Sequence, residues 1–191
     1  MSSTRGNYKL AESELVLGRT ILLSIQDDVG RTSVLGSDGL RTNALHISTA
    51  CDEGRLDVRR HLFRVCKKLV YQSQRDLAKV KRQAAMGTSP EEAADREEEI
   101  DDLERRAQRE REANKAAVSG THDADGITIL YGHIIQLQHV VSGKFITLDR
   151  RNVADRERDC LKVTLKEGGS PDSWFRVRLC ARRPCTVCVC G

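Results

Sequence analysis

Two stretches of this chain follow the same order of glycine, aliphatic strand, turn glycine and aromatic closing segment, and a long charged stretch separates them. Gly18-Arg19-Thr20-Ile21-Leu22-Leu23-Ser24 aligns with Gly132-His133-Ile134-Ile135-Gln136-Leu137-Gln138. The turn glycine follows at similar distance, Gly30 in the first copy and Gly143 in the second. Leu62-Phe63-Arg64-Val65 closes the first copy as Trp174-Phe175-Arg176-Val177 closes the second. From Gly18 to Phe63 is 45 positions, and from Gly132 to Phe175 is 43. Like units of this size mark a repeat architecture, in which one unit cannot bury its apolar face alone. The repeat core expected from the alignment is Ile21, Leu23, Phe63, Ile135, Leu137, Trp174 and Phe175.

Within each unit the pattern is β. Leu15 to Ile25 is rich in aliphatic residues and stops at the turn signal Asp27-Asp28-Val29-Gly30. Thr32–Leu35, Ala44–Ser48 and His61–Cys66 read as further short strands. Short, evenly spaced strands suggest a barrel or sandwich. Between the units the period changes to helical. Val70, Leu77, Val80 and Ala84 are spaced for a first helix over Leu69–Met86, which stops at Gly87. Ser89-Pro90-Glu91-Glu92 then starts a second helix: a capping side chain, a proline suited to the first helical position, and acids at the positive end of the dipole. That helix is expected to run to about Ala117 on a thin apolar face of Ile100, Leu103 and Ala107, with acid-first pairs Glu92/Arg96, Asp101/Arg105 and Asp102/Arg106 four apart. The first helix is basic (Arg75, Lys79, Lys81, Arg82) and the second opens acidic (Glu97, Glu98, Glu99, Asp101, Asp102), so an antiparallel hairpin is expected to pair them side by side. The expected partition is a disordered start over 1–14, a β-unit over 15–68, a helical hairpin over 69–117, a linker over 118–126, a second β-unit over 127–178 and an atypical cysteine-rich tail over 179–191.

Composition narrows the function classes. A formal charge of +4 over 191 residues steers weakly and does not by itself point to nucleic acid or membrane. Aromatics make up 4% of the chain, too few to suggest base stacking as a binding mechanism. No apolar run approaches the ~20 residues of a spanning helix, and no apolar signal segment follows the first residues, so reduced thiols in a cytosolic setting are expected. There is no nucleophile elbow, phosphate-binding loop or zinc-binding helix motif, so the chain is expected not to be an enzyme and to need no cofactor.

The run Ile129-Leu130-Tyr131-Gly132-His133-Ile134-Ile135-Gln136-Leu137-Gln138-His139, followed by Ser142-Gly143-Lys144-Phe145-Ile146-Thr147-Leu148, resembles an MIR-type β-trefoil repeat. It is especially similar to the N-terminal domain of inositol 1,4,5-trisphosphate receptors and, slightly less, of ryanodine receptors. Ser173-Trp174-Phe175 after the Val163–Glu167 strand, and Leu62–Cys66 before the helix that carries Tyr71, match the same family, and the helical hairpin resembles its projecting arm. The resemblance covers roughly Leu15 to Arg178. It implies a mainly β fold with a helical insertion: an incomplete β-trefoil, two of three units, with a helix-turn-helix arm. It also implies a regulatory (suppressor) fragment of an inositol trisphosphate-gated calcium-release channel, lacking the ligand-binding core and the pore. The implied partners are neighbouring domains or subunits of a tetrameric channel, with no nucleic acid and no membrane insertion by this segment. The implied place is the cytosolic side of the endoplasmic reticulum or a similar calcium store. The turn after the second strand docks the domain in that family, and Leu35, Gly36 and Arg41 fit it here; with Arg59 they form the expected interdomain surface. Ser37, Asp38 and Gly39 depart from the larger apolar and acidic groups of the family. A free-standing trefoil module binding sugar or a small ligand is the alternative, though such modules have no need of a long charged hairpin.

Other residue clusters invite sharper readings. Cys180, Cys185, Cys188 and Cys190 include a C-x2-C spacing, but four thiols crowded into one short tail are a weak zinc pattern, and a tail that forms nothing is the simpler expectation. His133 and His139, six apart, would share a face if both lay within one strand, with the chemistry to bind metal or act as a switch, but His133 as a strand-entry residue and His139 as a turn-flanking one is the simpler expectation. Cys66 is expected to be a small buried hydrophobe rather than a reactive thiol. The basic cluster from Lys67 to Arg82 has the chemistry to grip phosphate or acidic lipid, but pairing with the acidic helix accounts for it more simply.

Overall fold

The structure, a computed structural model, describes residues 14–26, 29–49, 57–86, 90–119, 126–154, 159–178 and 188–190. It is a mainly β fold with a two-helix insertion. The strands are β1 (Thr20–Leu22), β2 (Ser24–Gln26), β3 (Thr32–Ser37), β4 (Leu45–Thr49), β5 (Leu62–Lys67), β6 (Ile134–His139), β7 (Phe145–Val153), β8 (Leu161–Lys166), β9 (Phe175–Arg178) and β10 (Cys188–Cys190). Between β5 and β6 stand α1 (Gln72–Ala85) and α2 (Pro90–Ser119). The aliphatic run expected as one strand breaks at Leu23, so that β1 joins the larger sheet and β2 joins β3 and β4 in a second, three-stranded sheet.

The register makes the two units equivalent. Ile21 pairs with Phe63 between β1 and β5, and Ile135 pairs with Phe175 between β6 and β9. The Gly18 N–H donates to the Val65 carbonyl at 2.8 Å, and the Gly132 N–H donates to the Val177 carbonyl at the same distance. Both glycines hold positive φ, 81° and 90°, where a Cβ would be strained. Each unit therefore enters its first strand through one left-handed glycine clamped to its own last strand. β5 then pairs with β6, Val65 opposite Leu137, and joins the two units.

Inward residues of both units form one core of Phe63, Val65, Ile129, Ile135, Leu137, Ile146, Leu165, Phe175 and Val177, with Ile21 and Leu23 partly buried against it. Trp174 lies elsewhere. It belongs to a second cluster on the opposite sheet face, with Cys66, Leu69, Tyr71 and Phe145. The cysteine-rich tail also departs from expectation. Its last part is β10, antiparallel to β9 with Val189 opposite Val177, because β9 otherwise presents an unpaired edge. Cys180 and Cys185 lie outside the described residues, and Cys188 and Cys190 are described as strand backbone only.

The hairpin differs in its charges. Val70 precedes α1 and is exposed. Of the basic residues on α1, Lys81 alone meets an acid of α2 among the described residues, at Glu104 (2.5 Å). Arg106 pairs with Asp102 at 2.7 Å, as its spacing predicts, but Arg105 donates to the Asp101 backbone carbonyl at 3.3 Å instead of to its carboxylate. Glu92 lies where side chains are not described.

The sheets are open, and part of their inward face is uncovered. Leu23, Leu35 and Leu45 pack on the core, yet Ile25 and Ile47, two residues further along the same strand faces, are 66% and 67% exposed. Leu161 and Val163 on β8 are exposed likewise, and the two sheets are bridged at Ala44 and Thr164. An apolar face of this kind binds whatever apolar surface is offered. The isolated chain is therefore expected to enhance the fluorescence of an apolar dye. Replacing Ile25 and Ile47 together by Thr, which keeps strand preference, should lower that signal while shifting stability by no more than about 0.5 kcal/mol. Dye fluorescence unchanged in the double variant would show that the face is covered.

Candidate functional site: the β3–β4 loop and its histidine seat

The end of β3 and the loop that leads from it to β4 lie flat because two glycines let them rest on two buried histidines. Gly36 packs on the His61 ring: a Cβ at Gly36 would stand 2.5 Å from His61 Nε2. A Cβ at Gly39 would stand 2.7 Å from His139 Nδ1 and 2.6 Å from Ser142 Oγ. Neither histidine is free to retreat. His61 Nδ1–H donates to the Asp57 carbonyl (3.0 Å), and its Nε2 lies 3.4 Å from Ser48 Oγ. His139 Nε2 lies 3.1 Å from the Arg60 carbonyl, which can only accept, so Nε2 carries the proton. His139 Nδ1 then accepts from the Ser142 hydroxyl at 2.9 Å.

Further bonds hold the loop from its other side. The Ser37 hydroxyl, fully buried, donates to the Ala44 carbonyl (2.7 Å) and accepts from the Gly39 N–H (3.0 Å). Lys144 reaches across from the β6–β7 turn to donate to the Gly39 carbonyl (2.9 Å) and to Asn43 Oδ1 (2.8 Å). Arg60 bridges Asp38 and Asp57, at 2.5 and 3.1 Å, and so ties the loop to the short 3-10 helix Val58–His61. Leu35 is half-buried beneath the loop and Gly36 is buried. Leu40 (73% exposed) and Arg41 are exposed on the loop and Arg59 on the 3-10 helix, and neither arginine has an ion pair among the described residues. The loop thus presents an exposed apolar side chain and an exposed cation on a braced base.

Burial holds the His139 imidazole below the usual histidine value of 6.5, outweighing the Arg60 carbonyl, which favours the charged form. Cys66 lies under the sheet; burial pushes its thiol up to about 11, so it stays protonated at neutral pH and is a poor nucleophile. Among the described residues no group of three or more His, Cys, Asp and Glu is placed to hold a metal ion. His133 and His139 do not share a strand face: β6 begins at Ile134, and His133 is exposed with its Nδ1 accepting from the Leu130 N–H.

The sequence model of the inositol 1,4,5-trisphosphate/ryanodine receptor family matches residues 11–180. The chain belongs to this family. An inositol 1,4,5-trisphosphate receptor of Caenorhabditis elegans is 34% identical to it over 114 residues, 60% of this chain but 4% of that receptor. No helix among the described residues is long and apolar enough to cross a membrane. Leu35, Gly36 and Arg41, expected on the interdomain surface, lie in or beside this loop and Arg59 on the 3-10 helix; His61, His139 and Lys144, which seat the loop, were not singled out for it by the sequence. The signal for His139 was available: it shares the parity of Ile135 and Leu137 on β6, so its ring points into the core beside Phe63.

Two expectations follow. Gly36→Ala drives a methyl into a ring fixed by two bonds and should destabilise the chain by about 1–3 kcal/mol, read in a denaturant melt; a loss below the error of the melt would show that His61 can move. For His139 the folded-state pKa lies below the unfolded one, so the unfolded chain binds more protons as pH falls through the histidine range. Stability should be fully present above 6.5 and decline toward pH ~5. His139→Gln should be less stable at neutral pH but should flatten that decline; an acid limb as steep as in the parent chain would place its origin elsewhere.

Proposed function

We propose that this chain is the N-terminal regulatory segment of an inositol trisphosphate-gated calcium-release channel. In this reading the two like units are two of the three units of a β-trefoil, and the hairpin is its arm. The segment lies on the cytosolic side of a calcium-store membrane, modulates ligand affinity and couples binding to pore opening. Its partners are neighbouring domains or subunits, and it performs no catalysis of its own.

The observation that carries the reading is the braced loop, which exposes Leu40 and Arg41 on a backbone fixed from both sides. A loop that only connected two strands would not need eight side-chain bonds and two glycine–histidine contacts to fix its backbone. Coupling between sites requires an element that transmits a displacement without absorbing it. The uncovered apolar row at Ile25, Ile47, Leu161 and Val163 adds a second face that a neighbour can cover. The 34% identity to the nematode inositol 1,4,5-trisphosphate receptor supports the trisphosphate-gated branch.

The test is a chimera in which residues 14–178 replace the aligned segment of the nematode receptor. Ligand affinity should fall several-fold relative to a receptor lacking the segment, within the ~5–150-fold range of ordinary allosteric coupling. Leu40→Ser with Arg41→Glu should raise affinity toward that of the deleted receptor and impair ligand-evoked calcium release. A chimera with the affinity and release of the deleted receptor would remove the proposal.

A further inference from the structure

The basic residues of α1 that fail to meet the acidic helix converge instead on a cleft. It lies between the root of the helical hairpin and the β-body, closed by the β6–β7 and β8–β9 turns, with a volume of about 1130 Å³. Arg75, Lys79 and Arg82 line it from α1 at i, i+4 and i+7, one face of the helix. Arg111 and Lys115 face them from α2, and Lys166 stands on the β-body side. Six cations thus share the cleft with two carboxylates, and Asp76 already accepts the Gln72 side-chain amide at 3.0 Å. None of the six has an ion pair among the described residues; Arg111 donates only to Gln108, at 3.2 Å.

A solvated helix face explains charges that point apart into water. It explains less well six cations gathered around one concavity with only two carboxylates, where an anionic occupant would relieve their mutual repulsion most. The cleft is built rather than incidental. Tyr71 and Gln136 fix its wall, with the Tyr71 hydroxyl donating to the Gly168 carbonyl (3.0 Å) and accepting from Gln136 Nε2 (2.9 Å). Glu110 of α2 accepts the Ser73 and Gln74 N–H groups of α1 (3.0 and 3.4 Å), which locks the two helices in register at the root.

We propose that this cleft binds an acidic segment of another polypeptide. The spread of the charges selects an extended occupant. Arg75 to Arg82 spans about 10 Å along α1 at 1.5 Å per residue. An extended chain sets alternate carboxylates roughly 6.6 Å apart, so a row of Asp or Glu can meet successive cations. A compact phosphate ion can touch two or three of them at most. The aromatic residues of the lining, Tyr71 and Phe145, are buried at 2% and 3%, so no ring is offered for bases to stack on. The surface lies at the arm root and is separate from the β3–β4 loop, so the proposal stands independently of the regulatory reading above.

The full chain would be titrated against a fluorescein-labelled oligoglutamate peptide by anisotropy. Binding should weaken steadily with salt, and Arg75→Gln/Lys79→Gln/Arg82→Gln should weaken it about tenfold or more. Those three side chains are exposed, so circular dichroism should be unchanged in the variant. Lys81→Gln, which removes a neighbouring charge that points to Glu104 instead, should bind as the parent does. Equal binding by the triple variant, or an equal loss in Lys81→Gln, would overturn the site. Tighter cleft-dependent binding of tripolyphosphate or of an oligothymidine would overturn the occupant, as would self-association of the chain alone that the triple variant abolishes.

Discussion

The alternation of β6 is the constraint on which the other parts rest. β6 is hydrogen-bonded to β5, β7 and β9, so it is the strand through which the two units meet. Its side chains must satisfy both faces at once. Ile135, Leu137 and His139 point to the shared core, where His139 also supports the β3–β4 loop through its contact with Gly39. Gln136 points the other way. It is fully buried, accepting the Leu69 N–H (2.9 Å) and donating to the Tyr71 hydroxyl, and so it receives the root of the hairpin. A one-residue slip of this strand would put Gln136 into the core and expose the leucine and the histidine, losing core, loop seat and arm socket together.

That two-sided burial explains why the hairpin departs from the β-body at a fixed place. Tyr71, the residue that precedes α1, gives the first turn no side-chain cap. The helix's first N–H groups are satisfied by Glu110 of α2, and Val70 by Asn114, which accepts the Val70 N–H at 3.2 Å and donates to the Val70 carbonyl at 2.6 Å. A helix whose first turn is capped by its antiparallel partner gains that stabilisation only when the hairpin is closed, which couples the two helices of the arm. The Trp174 indole N–H donates to the Leu69 carbonyl at 3.2 Å, and Lys68 lies 4.3 Å from the centre of its ring. Trp174 therefore serves the arm socket, although its position in the repeat reads as core.

The sequence made the repeat legible because repetition leaves local marks: a glycine before the strand, an aliphatic run, and an aromatic pair at a like distance. It made Pro90 legible as a helix start for the same reason. Contacts between distant segments leave no such marks. Gly36 reads as a turn glycine, but its requirement comes from the His61 ring 25 positions later. The charge pattern of the hairpin misled for a related reason. A basic helix beside an acidic one predicts pairing only if the charged faces meet, and here the α1–α2 contact is made by side chains such as Ala107, fully buried, and Glu110. Arg75, Lys79 and Arg82 line the cleft at the arm root instead. Composition gives the amount of charge on a helix, and packing decides where it points.

These placements separate the surface into regions with different demands. The β3–β4 loop is held in one shape whether or not anything touches it, so a partner that docks there does not have to order it first. The open apolar face at Ile25 and Ile47 is the opposite case: it costs free energy for as long as it is uncovered, and hydrophobic burial is non-directional, so shape alone would discriminate there. The cationic cleft lies between these extremes, with its walls fixed and its long side chains free to adjust. One segment can therefore combine a stiff contact that transmits displacement with an apolar contact that supplies affinity. The loop rests on His139 of the central strand, so a force applied to the loop is resisted by the core that β6 shares with the far unit.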